Sequence, residues 1–185
     1  MLRPEFDITA AAFIHSHSAA RWTWQEHKSY PHFGYMARTA LHTRRAIAEA
    51  DDEPLDEATA PTPPESLTCM QYIVFSVTFQ VPAFYFTIHD ASGSPLPLDD
   101  LLQTTLFRGL AFEGTEHTSF GLGMPTTNFP LLSQGDHPTL GTPCWYLHPC
   151  QSAAAVGELM HELGEQRLER WLETWFMVLG TVVNV

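Results

Sequence analysis

The stretch Cys69-Met-Gln-Tyr-Ile-Val-Phe-Ser-Val-Thr-Phe-Gln-Val-Pro-Ala-Phe-Tyr-Phe-Thr-Ile-His89 decides the fold. On one side of a period-two pattern, its first half carries the apolar residues Cys69, Ile73, Phe75, Val77 and Phe79. Its second half, Phe84 to His89, is rich in the aromatic and β-branched residues typical of strands. We therefore predict an antiparallel hairpin with its turn near Thr78 to Pro82.

Helical patterns precede and follow this hairpin. Phe6, Ala10 and Phe13 recur at helical spacing just after Pro4, which predicts an amphipathic helix starting near residue 4. Ser152 is a candidate N-cap for a second helix, with Gly164 as its stop and a stripe formed by Val156, Leu159, Met160 and Leu163. A final helix with a wide apolar face is expected to pack across the sheet, its face formed by Leu168, Trp171, Leu172, Trp175, Phe176 and Leu179.

Further strands and loops complete the predicted organisation. His32 to Thr43 and Pro143 to Leu147 are strand candidates, although the pattern of Ala40 to Ala48 also fits a helix. Gly114 to Asp136 has no sustained period and is expected to be a long irregular loop. Residues 49–66 are acidic and proline-rich, and we expect a disordered loop there. The chain is therefore predicted to be a single domain over residues 1–185 of α+β class, an antiparallel sheet packed against N-terminal and C-terminal helices.

The charge balance restricts the classes of partner. Nine Lys and Arg against 21 Asp and Glu give a formal net charge of −12, which repels phosphate backbones and anionic membrane surfaces. The N-terminus is charged where a secretory signal has an apolar core, and the longest apolar run, near Trp175 to Val183, is shorter than a membrane span requires. We expect a cytoplasmic protein with no nucleic-acid partner and no stable membrane anchor.

Cys150 is the candidate reactive residue. It follows the strand Pro143 to Leu147 and stands just before a predicted helix, where unpaired N–H groups and the helix dipole favour thiolate. His148 lies two residues earlier, so in an extended segment both side chains project to the same side. Cys69 and Cys144 fall on strand positions and are expected to be small core residues.

Two other chemistries are weighed for these residues. A structural zinc site needs four ligands at short spacings. Cys144, His148 and Cys150 lie close together in the sequence, but the chain has no second Cys/His pair with such spacing, so no metal is expected. A cysteine protease would bring a histidine from elsewhere, and His89, His117 and His137 are available. Nothing in the sequence singles out such a triad.

The chain resembles the autophagy ubiquitin-like-conjugating enzymes, which are relatives of the ubiquitin E2 enzymes. The matching segments are Val74 to Phe86, Gly93-Ser-Pro-Leu96, His137-Pro-x-x-Gly141-x-Pro143, and Leu147-His-Pro-Cys150. Trp171 with the Val-Leu-Gly-x-Val-Val end, and Trp22-Thr-Trp24, resemble the family's last helix and its early tryptophan pair. The family usually has Tyr at the position of Phe79, so a role for a hydroxyl there is absent or moves to Tyr85 or Tyr72.

The resemblance implies an E2-like core and a thioester mechanism. Cys150 would accept the ubiquitin-like modifier twelve from the E1-like activating enzyme seven and pass it to a lysine of acceptor protein five. No Asn stands in the segment His137 to Pro149 just before Cys150, so we expect His148 or backbone N–H groups to stabilise the oxyanion, with Tyr85 as a further catalytic helper. No cofactor is implied in the domain itself, because ATP would be used by the activating enzyme.

Two alternatives stay open at this point. The sister enzyme that conjugates a modifier to lipid shares His-Pro-Cys. A non-catalytic binding module of the same fold would recognise its partners by strand addition at an exposed hairpin edge.

Overall fold

The computed structural model describes residues 1–45, 65–118, 121–123, 130–164 and 167–185. Within these ranges the chain forms one antiparallel sheet of eight strands in the order β1-β2-β3-β4-β8-β7-β6-β5. The strands are β1 (Thr23–Gln25), β2 (Tyr35–Thr43), β3 (Ser66–Ser76), β4 (Val81–His89), β5 (Glu116–Thr118), β6 (Gly121–Gly123), β7 (Pro130–Asp136) and β8 (Pro143–Leu147).

Four α-helices accompany the sheet in the described residues, and they confirm the predicted α+β class. They are α1 (Arg3–Ser16), α2 (Leu98–Leu102), α3 (Cys150–Glu162) and α4 (Leu168–Leu179), with a short 3-10 turn at Ser18–Ala20. The two terminal helices meet where the Phe13 ring of α1 stacks on Phe176 of α4 at 4.3 Å between centroids. Phe6, Phe84 and Leu172 lie in the same buried cluster, so one core joins both helices to the sheet.

The predicted hairpin is confirmed as β3 and β4, but its turn lies earlier than expected. Ser76 pairs with Val81 and Phe75 with Pro82, so the turn is residues 77–80 and Pro82 belongs to the strand. Val77 and Phe79 are consequently exposed, by 76% and 38%, rather than on the core face. The alternation that places Ile73 inside ends with the strand, since turn residues no longer obey the two-residue period.

The prediction of an irregular loop from Gly114 to Asp136 is wrong, because this segment contains β5, β6 and β7. Gly121 of β6 lies so close to the Leu132 carbonyl that a Cβ atom would collide with it. The missing side chain of Gly121 therefore allows the two strands to pair closely, although glycine in a sequence suggests a loop. Residues 119–120 and 124–129 lie outside the described residues.

The strand at Pro143–Leu147 is confirmed, while the helix after it begins at Cys150 rather than behind Ser152. Ser152 lies inside the first turn and donates its hydroxyl to the Pro149 carbonyl at 2.9 Å. Val156 and Met160 are buried as predicted, and the exposed residues of the predicted stripe are Leu159 and Leu163.

The predicted acidic loop at 49–66 lies outside the described residues as far as residue 64. Ser66, assigned to that loop from the sequence, begins β3. Among the helices of the described ranges, none has both the length and the apolar character needed to cross a membrane.

Candidate active site

Cys150 is the first residue of α3, directly behind β8 and Pro149. Pro149 has no N–H and occupies the N-cap position, so the strand ends and the helix starts within three residues. The side chain of Cys150 is partly exposed, whereas the other two cysteines are buried. The thiol thus lies in the first turn of α3, at the helix end where backbone N–H groups lack intrahelical acceptors.

His148 is held next to this thiol by its own backbone and by the hairpin turn. Its Nδ1 accepts a long hydrogen bond of 3.4 Å from the Cys150 N–H, which leaves the ring proton on Nε2. Its backbone N–H donates to Leu131 of β7 at 3.0 Å. The Phe79 ring meets the imidazole edge-on at 5.0 Å. Burial lowers the pKa of His148, so the ring is neutral near pH 7.

Tyr85 lies on β4 opposite Tyr146 of β8. The two rings stack at 5.1 Å between centroids, and Tyr146 in turn lies 6.5 Å from the His148 ring. Burial and the neighbouring Tyr146 raise the pKa of Tyr85 to about 12, so its phenol stays protonated. The structure thus connects Tyr85 with His148 through Tyr146.

His137, named from the sequence as an available histidine, has a different place. It is completely buried, and its Nδ1 accepts hydrogen bonds from the backbone N–H groups of Thr139 and Leu140, both at 3.1 Å. Tyr35 and Tyr72 meet the ring edge-on at 4.7 and 4.8 Å. Burial lowers its pKa to about 4, and within the described residues its Nε2 has no hydrogen-bond partner.

Sequence reasoning missed this role for His137. The signal lay in the segment His137-Pro-x-x-Gly141, a tight turn in which Gly141 adopts φ +64° and donates its N–H to the His137 carbonyl at 2.8 Å. A positive φ favours glycine, so the spacing of histidine and glycine marks the turn.

The other two cysteines are buried, as the sequence predicted. Cys69 is fully buried, and burial raises the pKa of its thiol to about 12. Cys144 is 4% exposed, and burial raises its pKa as well. Both thiols are therefore protonated near pH 7 and unsuited to attack a substrate. In the described part of the chain, no group of three or more His, Cys, Asp or Glu is arranged to hold a metal.

The sheet order shows which edges of the predicted hairpin are paired. The hairpin of β3 and β4 lies between β2 and β8, and the terminal strands of the described sheet are β1 and β5. The outer edge of β3 is paired with β2 from Ser66 to Ile73, whereas β4 pairs with β8 only at Tyr85 with Tyr146 and Phe86 with Trp145.

The geometry can now be compared with known proteins. A model of the family described as autophagocytosis associated protein, active-site domain, matches residues 5–185. The chain belongs to this family. The active-site domain thus covers the sheet, the His-Pro-Cys segment and all four helices apart from the first two residues of α1.

Three curated relatives carry the name "Ubiquitin-like-conjugating enzyme ATG10". The Homo sapiens protein is 25% identical over 155 residues, which are 80% of this chain and 64% of the relative. The Dictyostelium discoideum protein is 23% identical over 61% of this chain and 49% of its own length. The Arabidopsis thaliana protein is 25% identical over 62% of this chain and 48% of its own length. The chain thus spans between about half and two thirds of the curated relatives it matches.

Proposed function

We propose that this protein is an E2-like conjugating enzyme that carries a ubiquitin-like modifier on Cys150. The observation that carries the proposal is the position of Cys150, a partly exposed thiol at the first residue of α3 beside a neutral imidazole. The names of the three relatives support the same activity. We further propose that it acts in the cytoplasm, with modifier twelve as its cargo, the E1-like enzyme seven as donor and protein five as acceptor.

The first step is an exchange of thioesters. The Cys150 thiolate attacks the carbonyl carbon that joins the modifier to the cysteine of the E1-like enzyme, and that cysteine leaves as thiolate.

The second step transfers the modifier to a lysine. The neutral amine attacks the Cys150 thioester, a tetrahedral oxyanion forms, the nitrogen loses a proton, and the Cys150 thiolate is expelled. Because His148 Nδ1 is an acceptor, the ring proton lies on Nε2, and we assign this Nε2–H as the donor to the oxyanion. The backbone N–H groups of Gln151 and Ser152, in the same turn of α3, are candidate further donors.

Tyr85 acts on this site through Tyr146. Its phenol is protonated and its ring supports the Tyr146 ring, which lies next to His148. We assign Tyr85 the role of a positioning residue rather than a group that touches the substrate. Its contribution is to limit the orientations available to the imidazole.

The proposal is tested by thioester loading. The purified chain is mixed with the E1-like enzyme, ATP and modifier twelve and run on gels with and without reductant. We expect an adduct that reductant removes, that is lost in Cys150→Ala and that becomes a reductant-resistant oxyester in Cys150→Ser. Cys144→Ala is the matched control and should load normally.

Other outcomes select the alternatives. An adduct with the lipid-directed modifier but not with modifier twelve would assign the chain to the sister activity. Absence of any adduct, together with a biological effect preserved in Cys150→Ala, would show a binding module. The adduct with modifier twelve contradicts both.

A further inference from the structure

The 185 residues contain a single lysine. Nine side chains are Lys or Arg, and Lys28 is the only lysine among them. Both side chain types carry a positive charge, but the lysine amine is a nucleophile once it loses its proton, whereas the arginine guanidinium stays protonated. In a protein that carries a thioester, this difference decides whether a side chain can attack the thioester of its own chain.

The contacts made by the arginines do not account for the preference over lysine. Arg170 forms an exposed ion pair with Glu173, 2.8 Å between Nη1 and the carboxylate oxygen. Arg108 donates its Nε–H to the Gly180 carbonyl at 2.8 Å, and this contact is exposed as well. Each is made through one nitrogen, and a lysine ammonium can form a contact of that kind. The scarcity of lysine therefore has another cause than the geometry of these contacts.

The segments that surround Cys150 are free of Asp, Glu, Lys and Arg. Residues 137–157, which contain β8 and the first turns of α3, have no such side chain, and neither do residues 66–89 of the central hairpin. The hairpin turn reaches the site through Phe79, whose ring lies 5.0 Å from the His148 ring. These two segments therefore bring no side-chain amine to the thiol.

The single lysine lies across the sheet from the thiol. Lys28 is exposed and belongs to the connection between β1 and β2. β3 and β4 separate β2 from β8, the strand that leads to Cys150. Neighbouring strands are about 4.8 Å apart, so these three spacings amount to about 14 Å. Lys28 is thus kept away from the site where the modifier would be attached.

Ala153 and Ala154 are the positions of α3 at which a lysine would endanger the thioester most. Residues three and four apart on a helix are neighbours with Cβ atoms about 5–6 Å apart, so both alanines lie next to Cys150. Ala154 is exposed and Ala153 is half-buried. An amine at either position would attack the thioester carbonyl and form an isopeptide bond, while the nitrogen loses a proton and the Cys150 thiolate is expelled.

We propose that the chain excludes lysine from the surroundings of Cys150 so that the modifier is not attached to the chain itself. The inference rests on the proposed function, because a thioester on Cys150 is what needs this protection. Ala153 and Ala154 are then specificity-determining positions. They leave the lysine of the acceptor as the amine that reaches the thioester.

The test follows the loaded thioester without any acceptor. The E1-like enzyme, ATP and modifier twelve load the purified chain, the remaining ATP is then hydrolysed, and samples are run with and without reductant. Ala154→Lys is compared with Ala154→Arg, which adds the same charge without a nucleophilic amine. Ala91→Lys is the positional control, because Ala91 is exposed and follows β4, which runs from Tyr85 away from the end of β8 that leads to Cys150.

We expect Ala154→Lys to convert its thioester to a reductant-resistant adduct at least about tenfold faster than the unaltered chain loses its thioester, because the amine is held beside the carbonyl. The rate should not depend on protein concentration. Ala154→Arg, Ala91→Lys and Lys28→Arg should retain the thioester as long as the unaltered chain, within about twofold. If Ala154→Lys is not loaded, Ala153→Lys should form the same adduct.

The inference is overturned if Ala154→Lys and Ala153→Lys retain their thioesters as long as the unaltered chain, or if Ala154→Arg loses its thioester equally fast. A reductant-resistant adduct on the unaltered chain that disappears in Lys28→Arg would also overturn it. Equal self-modification of Ala91→Lys and Ala154→Lys would do the same, because the distance from Cys150 would then not matter. In each of these cases the proposed function survives. If the unaltered chain forms no thioester at all, the proposed function fails together with this inference.

Discussion

The two His-Pro turns at the ends of β8 use the same local hydrogen bond in different surroundings. At the start of β8, His137 Nδ1 accepts the N–H of Thr139 two residues later, at 3.1 Å. At the end of β8, His148 Nδ1 accepts the N–H of Cys150 two residues later, at 3.4 Å. In both turns this bond places the ring proton of the neutral imidazole on Nε2.

The surroundings separate the two histidines. His137 is enclosed by tyrosine rings with no exposure, and burial lowers its pKa to about 4. His148 is partly exposed, and its ring rests on Phe79, which is itself 38% exposed. The His137 turn is therefore closed to solvent and stabilises the fold. The His148 turn is open, so a substrate can reach it.

The largest effect should come from removing the closed turn. We expect His137→Ala to lower the free energy of unfolding by about 3 kcal/mol, because it leaves a cavity among tyrosines and removes the acceptor of the part-buried Thr139 and Leu140 N–H groups. Urea unfolding measures the change. His148→Ala is the control and should cost less than about 1 kcal/mol. Equal losses in the two variants would remove the distinction between the turns.

Acid should act on the same closed turn. The unfolded His137 binds a proton below its ordinary pKa of about 6.5, whereas the folded ring resists protonation down to about 4. The stability from this site is therefore complete above pH 6.5 and is lost as the pH falls towards 4, by up to about 3 kcal/mol.

Unfolding measured between pH 7 and pH 4 checks this expectation. Burial also lowers the pKa of His42 and His148, so the difference between the unaltered chain and His137→Ala isolates the contribution of His137. That difference should shrink towards pH 4. A difference that stays constant would mean that His137 does not resist protonation in the folded state.

The open turn should matter for transfer rather than for folding. We expect His148→Ala to load normally and to discharge to the acceptor lysine about 100-fold more slowly, the typical loss when one oxyanion donor is removed. His148→Asn keeps an N–H donor and should recover part of the rate. Unchanged discharge in His148→Ala would show that backbone N–H groups alone stabilise the oxyanion.

The smallest effect should come from the contact between the Phe79 ring and the His148 imidazole. Phe79→Ala removes the ring against His148 and should slow discharge about two- to fivefold, as expected for one aromatic contact. Phe79→Tyr retains the ring and should discharge normally. Val77→Ala, in the same turn and 76% exposed, should have no effect. A loss in Val77→Ala equal to that of Phe79→Ala would point to the turn as a whole.

The periodic parts of the chain made much of the fold predictable. Alternation over Cys69 to Phe75 and the helical spacing over Leu168 to Leu179 identify the central hairpin and the last helix, because each element is long and has one buried face. The candidate thiol was predicted for a local reason as well, since a cysteine behind His-Pro at a helix start can be identified in the sequence without any long-range contact.

Features that depend on long-range contacts could not be predicted in this way. β5 and β6 have three residues each, and β6 contains Gly121, whose close approach to Leu132 is visible only once the strands pair. The contact of Phe79 with His148 joins residues far apart in the chain, so alternation alone placed Phe79 on the wrong side. The burial of His137 depends on Tyr35 and Tyr72, which come from two other strands.

The place where the two halves of the sheet meet bears on how the protein folds. In the described residues, β4 and β8 are joined by the pairs Tyr85 with Tyr146 and Phe86 with Trp145, about sixty positions apart in the chain. Contacts of such sequence separation form slowly, because a long loop must close before they are made. The hairpins on either side of this junction join strands that are close in sequence, so they can form before β4 pairs with β8. The surroundings of Cys150 are therefore expected to form late in folding. A partly folded chain would contain the Cys150 thiol without the side chains that surround it in the folded protein.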